Sequence, residues 1–208
     1  MSRPVLYVLA GVNGAGKSSI GGYLLTRAGL AWFNPDTFAR ELMAATHCSQ
    51  TDANIAAWNE GVRRLDDALA NRQSFAFETT LGGNSIPAKL LDATKSHDVL
   101  IWFCGLSSAE QHIARVKTRV AIGGHDIPEE KIRERCTTAF ANLIGLMPHL
   151  AQLRAYDNSI DVSTGEAIPD PRLILAMDHG KLVWPVAIED LRKTPDWAKP
   201  LVEAAMTV

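Results

Sequence analysis

Apolar runs of two kinds alternate along the chain. Short runs dense in β-branched and aromatic residues read as strands: Val5 to Ala10, Leu30 to Asn34, Ser74 to Glu78, Asp98 to Cys104 and Leu153 to Asp157. Between them the apolar positions recur at helical spacing. The segments read as helices lie at about 17–28, at about 37–46, from Thr51 through Ile55, Val62, Leu65 and Leu69, and over Ile86 to Lys95. Ser107-x-x-Glu110 predicts a capping box opening a helix to about Ala121. Gly123-Gly124-His125-Asp126 breaks that helix, and Pro128-Glu129-Glu130 starts another, with proline in the first turn and acids at the positive end. Strand and helix in alternation predict parallel βα units.

The tail departs from this rhythm. Leu173 to Met177 and Lys181 to Trp184 flank Asp178-His179-Gly180, a β-hairpin pattern, and Pro195-Asp196-Trp197 leads into a short amphipathic helix. The reading is an α/β fold with a parallel sheet of P-loop NTPase type flanked by helices. Residues 1–160 form the core, including a helical lid at about 107–146, and 161–208 pack on the same domain.

The first strand runs straight into Gly11-x-x-x-x-Gly16-Lys17-Ser18, the phosphate-binding spacing. Gly11, Gly14 and Gly16 allow the backbone, with Asn13 and Ala15, to wrap a polyphosphate without Cβ clashes. The helix opening at Lys17, Ser18 and Ser19 offers unpaired N–H groups and the positive end of its dipole. Lys17 would reach the β/γ-phosphates as an exposed loop lysine, and Ser18 would sit on Mg²⁺. The expected ligand is a nucleoside triphosphate, ATP or GTP.

At 208 residues, 47 % hydrophobic and 21 % charged, the chain has ordinary globular composition. A net charge of −2 gives no reason to expect nucleic acid as a partner, and no run reaches the ~18 apolar residues of a membrane span. Cys48, Cys104 and Cys136 show no metal spacing, and a strand beginning at residue 5 leaves no room for a leader, so a reduced cytoplasmic setting is expected. Cys104, inside an apolar strand, reads as a buried inert thiol.

Two absences narrow the class. Thr94-Lys95-Ser96-His97 lacks the aspartate of a guanine clamp, and Val99 to Cys104 ends in Cys104-Gly105 without a Walker-B acid. Only Phe75-Ala76-Phe77-Glu78 approaches that pattern. What remains is a small P-loop kinase, in which acids at strand ends handle the acceptor hydroxyl and lid arginines neutralise the transferring phosphoryl group. His112, Arg115 and Arg119 share one helix face, and Lys131, Arg133 and Arg135 follow beyond the glycine hinge. These arginines read either as a closing lid or as solvated helix faces. Asp36 reads as a base at a strand end or as the N-cap of the following helix.

Five strings together carry a resemblance: Gly11 to Ser18, Asn34-Pro35-Asp36-Thr37-Phe38, Phe77-Glu78-Thr79-Thr80, Arg115-Val116-x-x-Arg119 with Gly123 to Pro128, and Ile132-x-x-Arg135. In this order, from about residue 4 to Ser159, they resemble the compact branch of the zeta-toxin family. The resemblance implies a kinase using ATP or GTP with Mg²⁺ to phosphorylate a hydroxyl of UDP-N-acetylglucosamine or a related small-molecule acceptor, with an antitoxin protein as a possible partner. It makes Lys17 the phosphate lysine and Asp36 the general base, with Glu78 and Thr79 on the substrate side. It places Arg119 and Arg135 around the γ-phosphate. The competing class is a nucleotide-binding or slow ATPase switch module for a partner protein.

Overall fold

Apolar residues on both faces of Val5–Ala10 (β1) place it at the centre of a sheet, with Leu6 and Val8 packed on one side and Leu9 on the other. The computed structural model describes residues 3–18, 21, 25, 29–160 and 170–208. After β1 the chain turns into helix at Lys17, then forms α1 (Pro35–Thr46) and α2 (Gln50–Ala70). It returns through β2 (Phe75–Thr79), α3 (Ser85–Ala93), β3 (Asp98–Gly105), α4 (Ala109–Ala121), α5 (Glu129–Leu146) and β4 (Gln152–Asp157). The hairpin β5 (Arg172–Asp178) and β6 (Lys181–Trp184) follows, with α6 (Ile188–Leu191) and α7 (Lys199–Ala205) at the end. The Ser19 position and part of the expected 17–28 helix, like 161–169, lie outside the described residues.

The six strands lie in the order β2-β1-β3-β4-β5-β6, parallel through β4 and antiparallel for β5 and β6. After β1 the chain first builds to one side and later to the other. A crevice therefore opens beyond the carboxyl end of β1, where open α/β sheets bind ligands. One large core lies on the face covered by α3, α5 and α7, where Leu90, Leu143 and Leu201 meet Ile101, Phe103 and Met177. A smaller cluster of Leu9, Leu25 and Ala76 with Trp32 and Trp102 fills the other face. Among the described residues no helix is long and apolar enough to cross a membrane.

Three local expectations shift. Leu30 to Asn34 is not a strand: only Phe33 pairs, donating to Ala76 O at 2.8 Å and accepting from Glu78 N at 3.0 Å. Pro35 takes the first helical position and Asn34 turns to cap α1, which ends the extended run after one bridge. Leu153 to Asp157 is thus in the fourth strand, not the fifth. The cap of α4 is Ser108, whose Oγ accepts from Gln111 N at 3.2 Å, while Ser107 donates to Gln111 Oε1. Glu110 faces outward to Arg133 instead. Pro128 is the N-cap residue of α5 rather than part of its first turn.

Candidate active site

The P-loop is a tight turn between β1 and the helical residues Lys17 and Ser18, with Gly14 at φ +83° and Gly16 at φ +82°, backbone that side chains rarely adopt. Ala15 N donates to Val12 O at 3.1 Å. Three side chains brace the turn from outside. His112 Nδ1 donates to Asn13 O at 2.8 Å, Arg135 Nη1 to Asn13 Oδ1 at 2.7 Å, and Asn158 Nδ2 to Ala15 O at 2.9 Å.

Lys17 is not the exposed loop lysine that the sequence suggests. The turn folds over it, leaving it 7 % exposed, with Nζ 3.5 Å from Glu78 Oε1 and 3.4 Å from Val12 O. Removing it would strand a buried carboxylate, a costly change in itself. Ser18 Oγ donates to Glu78 Oε2 at 2.8 Å. β2 carries Glu78 there by pairing directly with β1, Leu9 opposite Glu78. Thr79, the last residue of β2, lines the cavity described below, and its hydroxyl accepts from Leu81 N.

Asp36 does not cap α1. Asn34 does, its Oδ1 accepting from Asp36 N at 2.9 Å and Thr37 N at 3.1 Å. The other end of the same amide donates to Glu78 Oε2 at 3.0 Å and Ser18 Oγ at 3.2 Å. The Asp36 carboxylate is left half-exposed and turned to the lid, 3.5 Å from Arg119 Nη1 and 3.9 Å from His125 Nε2. From sequence, His125 reads as polar filling of a glycine loop and Asn34 carries no assigned role. An asparagine ahead of a proline and a histidine behind two glycines carry a position but no chemistry that local pattern reveals.

Arg119 and Arg135 reach Asp36 and Asn13 because two glycines make room. A Cβ on Gly124 would come within 2.6 Å of Arg119 Cγ, and one on Gly82 within 2.5 Å of Arg135 Cγ. Arg119 Nη2 donates to His125 O at 3.0 Å, and its buried Nε has no acceptor among the described residues. Burial lowers the pKa of the Arg135 guanidinium. Lys131 and Arg133 belong to solvated pairs, with Glu134 at 2.8 Å and Glu110 at 2.7 Å, and Arg115 Nη2 donates to Ile160 O. Of the α5 cations, Arg135 is the one bonded to the P-loop, while Lys131 borders the cavity from its solvated pair.

A cavity of about 420 Å³ lies between the P-loop and the Asp36 carboxylate. Lys17, Asn13 and Arg135 line it at the P-loop, and Asp36, Asn54 and the half-exposed Trp58 line it towards α1 and α2. Cys104, by contrast, lies under the loop with its thiol pushed up to about 12 by burial.

His112 gives the brace a pH signature. Burial first, then the nearby Lys17 and Arg115 charges, lower its pKa from 6.5 to about 4, against the opposing hydrogen bond to Asn13. In the unfolded chain the imidazole protonates near 6.5, so between that pH and about 4 the unfolded state binds more protons and stability falls as pH falls. From pH 7 to 5 the contribution lost is about 2 kcal/mol. Denaturant titrations should show that loss in the wild type but not in His112→Asn, whose amide can still donate to Asn13 O.

A family model described as Zeta toxin matches residues 1–145. The chain is 29 % identical over 132 residues to an uncharacterized protein of Haemophilus influenzae, covering 60 % of this chain and 87 % of that one. Its fold is similar to that in the crystal structure of the AvrRxo1-ORF1:AvrRxo1-ORF2 complex with sulphate ions. The TM-score is 0.65 at 16 % identity, over 94 % of this chain and 64 % of that one. It is also similar to a structure from the PezAT toxin-antitoxin system of Streptococcus pneumoniae, with TM-score 0.54 and 15 % identity over 74 % of this chain and 69 % of that one.

Proposed function

The chain belongs to the Zeta toxin family, and on that premise we propose that it is a small-molecule kinase. It transfers the γ-phosphoryl group of ATP or GTP to an acceptor hydroxyl. The observation that carries this reading is the shared cavity, with the P-loop Lys17 and Arg135 in one part of its wall and the Asp36 carboxylate in another. A switch that only sensed nucleotide would need no carboxylate placed there. AvrRxo1-ORF1, as the complex with AvrRxo1-ORF2, also has a structure with ATP.

In this reading Lys17 exchanges Glu78 for the β/γ-phosphates. Asp36 accepts the acceptor's hydroxyl proton as the new O–P bond forms and the bond to the β-phosphate oxygen breaks. Arg135 and Arg119 face the charge that spreads over the γ-oxygens, and the orphan Arg119 Nε is a donor still lacking its acceptor. The donor set beside the loop suits Mg²⁺, a hard cation that takes few protein oxygens and keeps phosphate oxygens and water. Ser18 Oγ and Glu78 Oε2, 2.8 Å apart and steadied by Asn34, are such oxygens. Bound there, the ion would neutralise charge between the β- and γ-phosphates.

UDP-N-acetylglucosamine is the first candidate acceptor, on family grounds. The apolar wall of Phe33, Val62 and Trp58, broken by Asn54 and Thr79, suits a ring bearing hydroxyls. Incubation with ATP, Mg²⁺ and this UDP-sugar, followed by mass spectrometry, should give ADP and a product heavier by one phosphate. ADP with free phosphate alone would favour the switch reading. Product from a different metabolite would keep the kinase and discard the UDP-sugar. The similar structure from the PezAT toxin-antitoxin system also supports an antitoxin-type protein partner.

A further inference from the structure

The family match ends at residue 145, and the chain beyond it supplies a side chain that neither the P-loop nor the lid accounts for. Trp197 lies in the short 3₁₀ turn Asp196–Ala198 ahead of α7. Its ring stacks on Phe140 of α5, centroids 5.8 Å apart at 12°. It also fills the space over Gly105, where a Cβ would approach to 2.2 Å. Its indole Nε1 donates to Asp157 Oδ1 at 3.3 Å.

Asp157, at the end of β4, gathers the segment that follows. Its carboxylate accepts from the Ser159 hydroxyl and from Ser159 N at 3.1 Å, and from Arg172 Nη2 at 3.3 Å. Residues 158–160 are then fastened to the phosphate site. Asn158 N donates to Gly105 O at 3.0 Å, and its side chain holds Ala15 O. Gln111 Nε2 donates to Ser159 O at 2.6 Å, and Arg115 Nη2 to Ile160 O at 3.0 Å. The cavity holding Asp36 and Arg135 takes the γ-phosphate end of a bound triphosphate. The nucleoside must leave the loop on another side, and the Ala15 flank is the one this segment and α4 border.

Resting on the kinase reading, we propose that residues 158–160 form a wall beside the nucleoside end of the nucleotide, and that Trp197, acting through Asp157, is the positioning residue that holds this wall. The tail beyond the family match is then part of the nucleotide site.

The test compares two ligands on the full chain. W197F keeps an aromatic ring against Phe140 but removes the indole donor and the outer ring carbons that lie over Gly105. In calorimetric titrations with Mg²⁺, its ATP Kd should rise about fivefold to tenfold, the net worth of one ordinary hydrogen bond. Its affinity for inorganic tripolyphosphate, which has no nucleoside, should stay within about twofold of wild type. General loosening of the fold would weaken both ligands together, and that parallel loss overturns the proposal, as does an unchanged ATP affinity. If W197F fails to fold, D157N supplies the same comparison with the shape kept and the charge removed. Wild-type protein that binds no ATP would defeat the kinase reading with it. Wild-type binding without an ATP-selective loss in the variant defeats only this inference.

Discussion

Arg135→Ala is expected to lower kcat by about 10³-fold while ATP affinity changes far less, with Arg119→Ala close behind. Arg135 comes from α5 across the cleft, and its guanidinium touches the P-loop through Asn13 rather than pairing with an acid. In the kinase reading, a desolvated fork at that distance from the loop would meet charge that develops only during transfer. Arg119 is held loosely, 3.5 Å from Asp36 and bonded to one backbone carbonyl, so it can change partners when an anion arrives. Lysine should rescue neither position well, because a point charge cannot copy a planar fork. Steady-state kinetics beside ATP titrations decide the matter. Near-normal kcat in both variants would reduce the arginines to braces that hold the lid against the loop and Asp36.

Asp36→Asn is expected to cut turnover by about 10²-fold or more, the usual cost of losing a general base. Stability should fall by less than about 1 kcal/mol. The helix cap belongs to Asn34, so the substitution removes only a first-turn acid near the helix dipole and a half-exposed ion pair with Arg119. Chemical denaturation and kinetics on the same preparation separate the two effects. A fully active Asp36→Asn protein would move the search for the base to Glu78, although Glu78 is already engaged by Lys17, Ser18 and Asn34.

The parts legible in the sequence were those whose cause is local. Val5 to Ala10 is apolar enough to be a central strand, and the glycine spacing after it permits only a few turns. Asp178-His179-Gly180 reads as a hairpin turn, and His179 at φ +49° with Gly180 at φ +72° adopts one. What failed depended on competition between neighbours. Leu30 to Asn34 has strand composition, but Asn34 and Pro35 are claimed by α1, leaving Phe33 alone to pair. Ser107 and Ser108 are both acceptable caps, and Gln111 rather than Glu110 settled the register. At the site, the helix-face spacing of His112, Arg115 and Arg119 was readable. Their division of labour between Asn13, Ile160 and Asp36 arises from partners 99, 45 and 83 residues away in the chain.

The buried contact between Lys17 and Glu78 sets an entry threshold for any anion that binds at the loop. The loop does not wait as an open positive charge, because its lysine is already neutralised by a carboxylate next to Ser18. An incoming anion must outbid that carboxylate for the ammonium group. A singly charged ion offers little more than Glu78 does, whereas a triphosphate carried in with a divalent cation, as proposed above, would satisfy Lys17 and give Glu78 a new counter-charge at once. Discrimination between stray monovalent anions and nucleotide would thus begin before any base or sugar is touched.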